Sequence, residues 1–75
     1  MTPGQCRAAR SWLNWSTREA AKKAAVSKTT LIRFEHGENV MYRSVDKIRR
    51  SYEKAGIEFN GRIGVTYRKD DEDSD

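Results

Sequence analysis

The sequence predicts a small, mostly α domain of four to five helices with a short C-terminal β hairpin, and three observations predict it. Ser16 and Glu19 have the spacing of a capping box, and Ser27 is placed to cap the run that follows. Between those two helix starts lies only the link Ala24-Ala25-Val26, which suits a turn between packed helices. After Gly56 the apolar residues recur every second position, the spacing of strands rather than helices.

The elements follow in order. Thr2-Pro3 starts a first helix, with proline at its first position and Gln5 completing a capping box. Cys6, Ala9 and Leu13 recur at helical spacing and form its expected inner face. The second helix spans 17–24 and buries Ala20, Ala21 and Ala24, side chains small enough to let a neighbouring helix approach. The third spans 28–36 and stops at Gly37. A loop over 38–43 leads to Ser44, the expected cap of a fourth helix over 45–55. Val45, Ile48 and Tyr52 make that helix's inner stripe, and Gly56 ends it.

Beyond Gly56, residues 57–59 and 62–67 alternate apolar with polar around Asn60-Gly61, the pair favoured in a two-residue type I′ turn. A lone hairpin is marginal in water. Either it packs on Trp12 and the fourth helix, or it pairs with the same segment of another copy. Exposed strand edges favour the second arrangement. Ile57, Phe59, Ile63, Val65 and Tyr67 are then the expected dimer interface.

Composition narrows the functional classes. Seventy-five residues make one small domain, which buries only about 60% of its unfolded surface. The expected division is a single domain over 1–69 and a disordered acidic tail over 70–75. That tail holds five acidic residues and no basic one, so 1–69 carries fifteen basic residues against six acidic ones, a net +9. So basic a body fits a polyanionic partner. No apolar run approaches a membrane span, and the N-terminus lacks a signal-peptide core. Cys6, the single cysteine, excludes an internal disulfide and suits a reducing cytoplasm. One histidine and one cysteine far apart, with no phosphate-cradling glycine loop and no zinc-ligand spacing, argue against an enzyme, a metal or another cofactor.

Helical geometry sorts the third helix into two arcs. At about 100° per residue, Thr30, Leu31 and Phe34 fall on one side, while Lys28, Thr29, Ile32, Arg33 and His36 fall on the other. Glu35 sits at the edge, so the outward arc has no acid of its own. Two capped helices crossing at a short turn can place the second in the DNA major groove. A solvated surface helix would mix Glu with Lys, as this arc does not.

Residues 2–59 resemble the Xre family of helix-turn-helix regulators, whose fold is the lambda-repressor-like DNA-binding domain. The carrying residues are Cys6-Arg7-Ala8-Ala9-Arg10, Leu13-Asn14-Trp15-Ser16, Glu19-Ala20-Ala21, Val26-Ser27 and Arg33-Phe34-Glu35-His36-Gly37. The chain departs from the family at Ala25, where glycine is common in the turn, and at Ala20, where a larger aliphatic residue is common. An alanine at 25 requires either a near-helical backbone or absorbed strain at positive φ.

The resemblance implies roles residue by residue. Lys28, Thr29 and Arg33 would reach base edges, Arg33 with the fork that suits guanine O6 and N7. Ile32 would touch a thymine methyl, or is simply a single exposed apolar residue. Thr17, Arg18, Thr30, His36 and Arg43 would meet the DNA backbone, Arg43 with the minor groove as a further option. Such contacts fix register and carry no sequence information. Arg10 and Glu35 would form a structural bridge between the first and third helices. Trp15 is expected in the core, Trp12 in the core or against the C-terminal segment, and Cys6 as a small buried apolar residue.

The function expected from all this is a cytoplasmic, nucleoid-associated transcription regulator that binds double-stranded operator DNA as a homodimer. Compact relatives of this kind often repress their own promoters and recur on phages, plasmids and integrative elements. Activation of an adjacent promoter would add a contact with RNA polymerase. No membrane and no small-molecule ligand is expected as a partner. The alternative is a protein-interaction module of antitoxin-like or anti-activator type, whose outward arc should be apolar or acidic.

Overall fold

The structure, a computed structural model, describes residues 1–68. The acidic stretch 70–75 lies outside them, as does residue 69. Four helices, α1 (Pro3–Leu13), α2 (Thr17–Ala24), α3 (Lys28–Glu35) and α4 (Tyr42–Lys54), precede two strands, β1 (Ile57–Asn60) and β2 (Gly64–Tyr67). None of the described helices is long and apolar enough to cross a membrane.

Local chemistry accounts for the first three starts. Thr2 and Gln5 make the capping box of α1, with Pro3 at its first position, and Ser16 and Glu19 make that of α2. The Ser27 hydroxyl accepts from the Thr30 amide to cap α3. Each arrangement satisfies amides that would otherwise lack a partner in the first turn. Ala25, just past α2, adopts the left-handed conformation with φ 59°. The turn therefore carries a Cβ where the backbone favours glycine, and of the two possibilities for Ala25 it is absorbed strain that holds.

Two helix boundaries differ from expectation. α3 stops at Glu35, with His36 as its C-cap residue, because Gly37 at φ 84° bends the chain away. The fourth helix begins three residues early: Met41 is its N-cap and makes no side-chain cap bond, so Ser44 sits inside the first turn. Val40 and Val45 both pack on the core, at the two positions of a hydrophobic staple. Apolar packing sets this start, and Arg43 consequently lies on α4 rather than in a loop.

The core is small and draws a buried residue from every element but β2, whose Val65 and Tyr67 pack against it. Cys6 and Ala9 of α1, the three alanines of α2, Leu31 and Phe34 of α3, Ile48 and Tyr52 of α4, and Ile57 of β1 are buried together. Leu13, Trp15 and Val45 are half-buried against that cluster. Trp15 stacks on Tyr52 with ring centroids 5.8 Å apart, and Lys23 Nζ lies 5.1 Å from the Trp15 ring.

The hairpin corrects one expectation, the type of its turn. β1 and β2 are antiparallel, pairing Ile57 with Tyr67 and Asn60 with Gly64, so the connection is the three-residue loop 61–63 and not a two-residue type I′ turn. Its register is held by α1. The buried Gln5 amide donates to the Gly61 and Gly64 carbonyls at 3.0 Å each, and the Thr2 hydroxyl donates to the Arg62 carbonyl at 3.0 Å.

The residues of the expected dimer face divide between the hairpin's inner side and its loop. Paired residues share a face of a sheet, so Ile57, Phe59, Val65 and Tyr67 all point the same way, into their own protomer's core. Ile57 is only 3% exposed, while Phe59, Val65 and Tyr67 are half-buried. Ile63 stands in the loop at 89% exposure, outside either strand. The hairpin thus packs on α1 and α4. Phe59 meets Tyr52 edge-on at 6.3 Å, and Tyr67 lies 6.3 Å from Trp12, which is therefore not a core residue and remains largely exposed. Gly56, at φ 108°, joins α4 to β1 where a Cβ would stand 2.6 Å from the Arg68 carbonyl oxygen, a clash no side chain could relieve.

Candidate nucleic-acid interface

The candidate surface is built on α3. Lys28, Thr29 and Arg33 are exposed on one side of the helix, while Leu31, Phe34 and Glu35 are buried on the other. Glu35 is the one acid of α3, and its burial leaves the exposed side without a carboxylate from the helix itself. Ile32 is half-buried, so it presents part of its side chain and packs the rest. Thr30 is also half-buried: its hydroxyl accepts from the Ser27 hydroxyl at 2.8 Å and its amide donates to the same oxygen, which ties it to the cap. Thr17 is half-buried at the first position of α2, and Arg18 beside it is exposed. His36 is exposed at the C-cap of α3, and Arg43 is exposed at the second position of α4.

Thr30 and Arg33 share a cleft with Asn39, Val40, Met41 and Ser44, between α3 and the start of α4. Met41 and Tyr42 are 69% and 80% exposed at that start. Met41 offers no side-chain cap bond to the first turn of α4, whose N-terminal end favours negative charge.

A buried polar network fixes the orientation of α3 against α1 and α4. Arg10 holds Glu35 in a two-pronged pair, Nε to Oε2 at 2.9 Å and Nη2 to Oε1 at 3.0 Å, with Glu35 only 5% exposed. Arg7 donates to the Glu35 carbonyl at the end of α3. The Cys6 thiol lies 3.5 Å from Glu35 Oε2 and 3.4 Å from the Tyr52 hydroxyl. Burial pushes the Cys6 thiol up to about 12, and it pushes the Tyr52 phenol up as well. Cys6 is therefore a protonated, inert thiol at neutral pH. The hydrogen bond to Glu35 raises Arg10, so the guanidinium keeps its charge.

Several of these residues carry no sequence signal as site residues. Gln5 reads as a capping partner and turns out to clamp the hairpin. Glu38 reads as a loop residue, yet its carboxylate accepts from Arg33 Nε at 3.0 Å. Arg7 and Tyr52 join the network only because three helices converge on Glu35. No group of His, Cys, Asp and Glu suited to a metal ion occurs among the described residues. No protein-family model matches this chain, and no curated protein matches it.

Proposed function

We propose that this chain is a sequence-specific DNA-binding transcription regulator with the lambda-repressor-like, Xre-type fold, acting as a homodimer on an inverted-repeat operator. One observation carries the reading: α3 turns Lys28, Thr29 and Arg33 outward while its only acid is buried in an ion pair with Arg10. A helix of this composition suits the major groove, where Arg33 is matched to guanine O6 and N7. The excess of basic residues over 1–69 suits the phosphates on either side. Thr17, Arg18, Thr30, His36 and Arg43 flank the helix as backbone contacts, and Lys28, Thr29, Ile32 and Arg33 are its base-edge set.

Two-fold symmetry requires half-sites about one helical turn apart, roughly 34 Å. The C-terminal hairpin region is the dimer contact proposed, where Ile63 and the neighbouring Trp12 are left exposed while the inner face packs on α1 and α4. Autorepression is the regulatory mode proposed, with activation of an adjacent promoter through RNA polymerase as an addition. The protein-interaction module is the second reading, favoured by the exposed Trp12, Met41 and Tyr42.

Selection of bound duplexes from a random pool at two salt concentrations tests the choice. An enriched inverted repeat that persists at the higher salt supports the operator-binding dimer. Binding without enrichment that collapses with salt reduces the activity to backbone contact. No binding favours the interaction module.

A further inference from the structure

We propose that Glu38 is a positioning residue for Arg33, which sharpens base selection by α3 and lowers affinity for non-specific DNA. The inference rests on the reading of Arg33 as a base contact.

The arrangement follows from how α3 ends. The Gly37 amide donates to the Phe34 carbonyl and the Glu38 amide to the Arg33 carbonyl, each at 3.0 Å. These two bonds, with Gly37 at φ 84°, make a Schellman motif. The motif folds the residue after glycine back over the third residue from the helix end, here Glu38 over Arg33. That position usually makes an apolar contact. Here it makes an ion pair, Glu38 Oε1 to Arg33 Nε at 3.0 Å. With both side chains about half exposed, the pair contributes little to stability. Its use lies elsewhere.

The carboxylate takes the Nε hydrogen of the guanidinium and leaves the terminal nitrogens to bond elsewhere. A forked contact to guanine needs two N–H groups held in one plane. An unrestrained arginine loses rotamer freedom when it is fixed, and a partner that fixes it beforehand removes that cost from binding. The same carboxylate is paired with Arg33, which lines the cleft at the start of α4, and it repels phosphate whatever the sequence. The two effects act in opposite directions on non-specific affinity and on selectivity, which makes them separable.

The test uses Glu38→Ala and Glu38→Gln, each alone and combined with Arg33→Ala. Affinities are measured for the site enriched by the wild-type protein, for its single-base variants and for a scrambled duplex. Glu38→Ala should tighten the scrambled duplex about two- to fivefold, and lower discrimination at the Arg33-read base by roughly fivefold. Glu38→Gln loses the same charge, so its non-specific gain should equal that of Glu38→Ala, while its discrimination should fall between, since its amide oxygen can still accept from Nε. In the Arg33→Ala background the loss of discrimination should vanish while the non-specific gain persists. Thermal unfolding midpoints should stay unchanged.

Equal tightening on every duplex with discrimination intact would overturn the proposal, because Glu38 would then act as a charge only. A loss of discrimination that survives in the Arg33→Ala background would overturn it too, by showing an effect that bypasses Arg33. If Arg33→Ala alone selects the same bases as wild type, the base-contact reading itself fails, whatever Glu38 does.

Discussion

Ala25 holds its left-handed turn at φ 59° without the freedom of glycine. For an L residue this conformation costs about 1–2 kcal/mol, and part of that gain on substitution is offset by the larger unfolded-state entropy of glycine. Ala25→Gly should therefore stabilise the fold by roughly 0.5–1 kcal/mol, a rise of about 4 °C in thermal midpoint by calorimetry. No change would mean that the turn tolerates its Cβ without strain. Residue 25 shows how far a single residue can be read. The sequence stated the two possibilities for it, and only the backbone angle chose between them.

At the scale of elements, α1 and α3 are joined by a buried pair whose value lies in completeness. Glu35 is 5% exposed and both of its carboxylate oxygens are taken by Arg10. Removing one partner leaves a charge buried without compensation, at a cost of about 3–5 kcal/mol. Arg10→Ala should show that loss in urea denaturation, and Arg10→Met combined with Glu35→Leu should recover most of it. If the single variant costs under about 1 kcal/mol, water reaches Glu35 and the bridge is not structural. The hairpin makes the complementary case. Val65 lies on the face that packs against the core, so Val65→Asp should lower the unfolding midpoint by placing a carboxylate there. A variant that instead kept its midpoint and only dissociated in sedimentation would return that face to a dimer contact.

For the whole molecule the governing quantity is charge distribution. Arg43 stands exposed in the first turn of α4. As a phosphate contact, Arg43→Ala should weaken all duplexes alike and reduce the slope of log affinity against log salt by about one. A shift in base preference would assign Arg43 to the minor groove instead. The direction of this electrostatic argument is legible in composition alone. Where the charges converge is not, because convergence depends on which helix ends meet.

The sequence by itself determined the helix order, the caps of α1, α2 and α3, the alanine face of α2 and the division of α3 into buried and exposed sides. Those features depend on side chains within a few residues of one another, so their physics is local. Tertiary structure decided the rest. It moved the start of α4 back to Met41, because Val40 and Val45 pack on the core. It chose a three-residue hairpin loop, because Gln5 and Thr2 bind carbonyls more than fifty residues away. It turned the hairpin's apolar face inward and placed Glu38 over Arg33. Each of these outcomes balances a local preference against contacts between distant parts of the chain, and packing outweighs a turn or capping propensity worth about 1 kcal/mol.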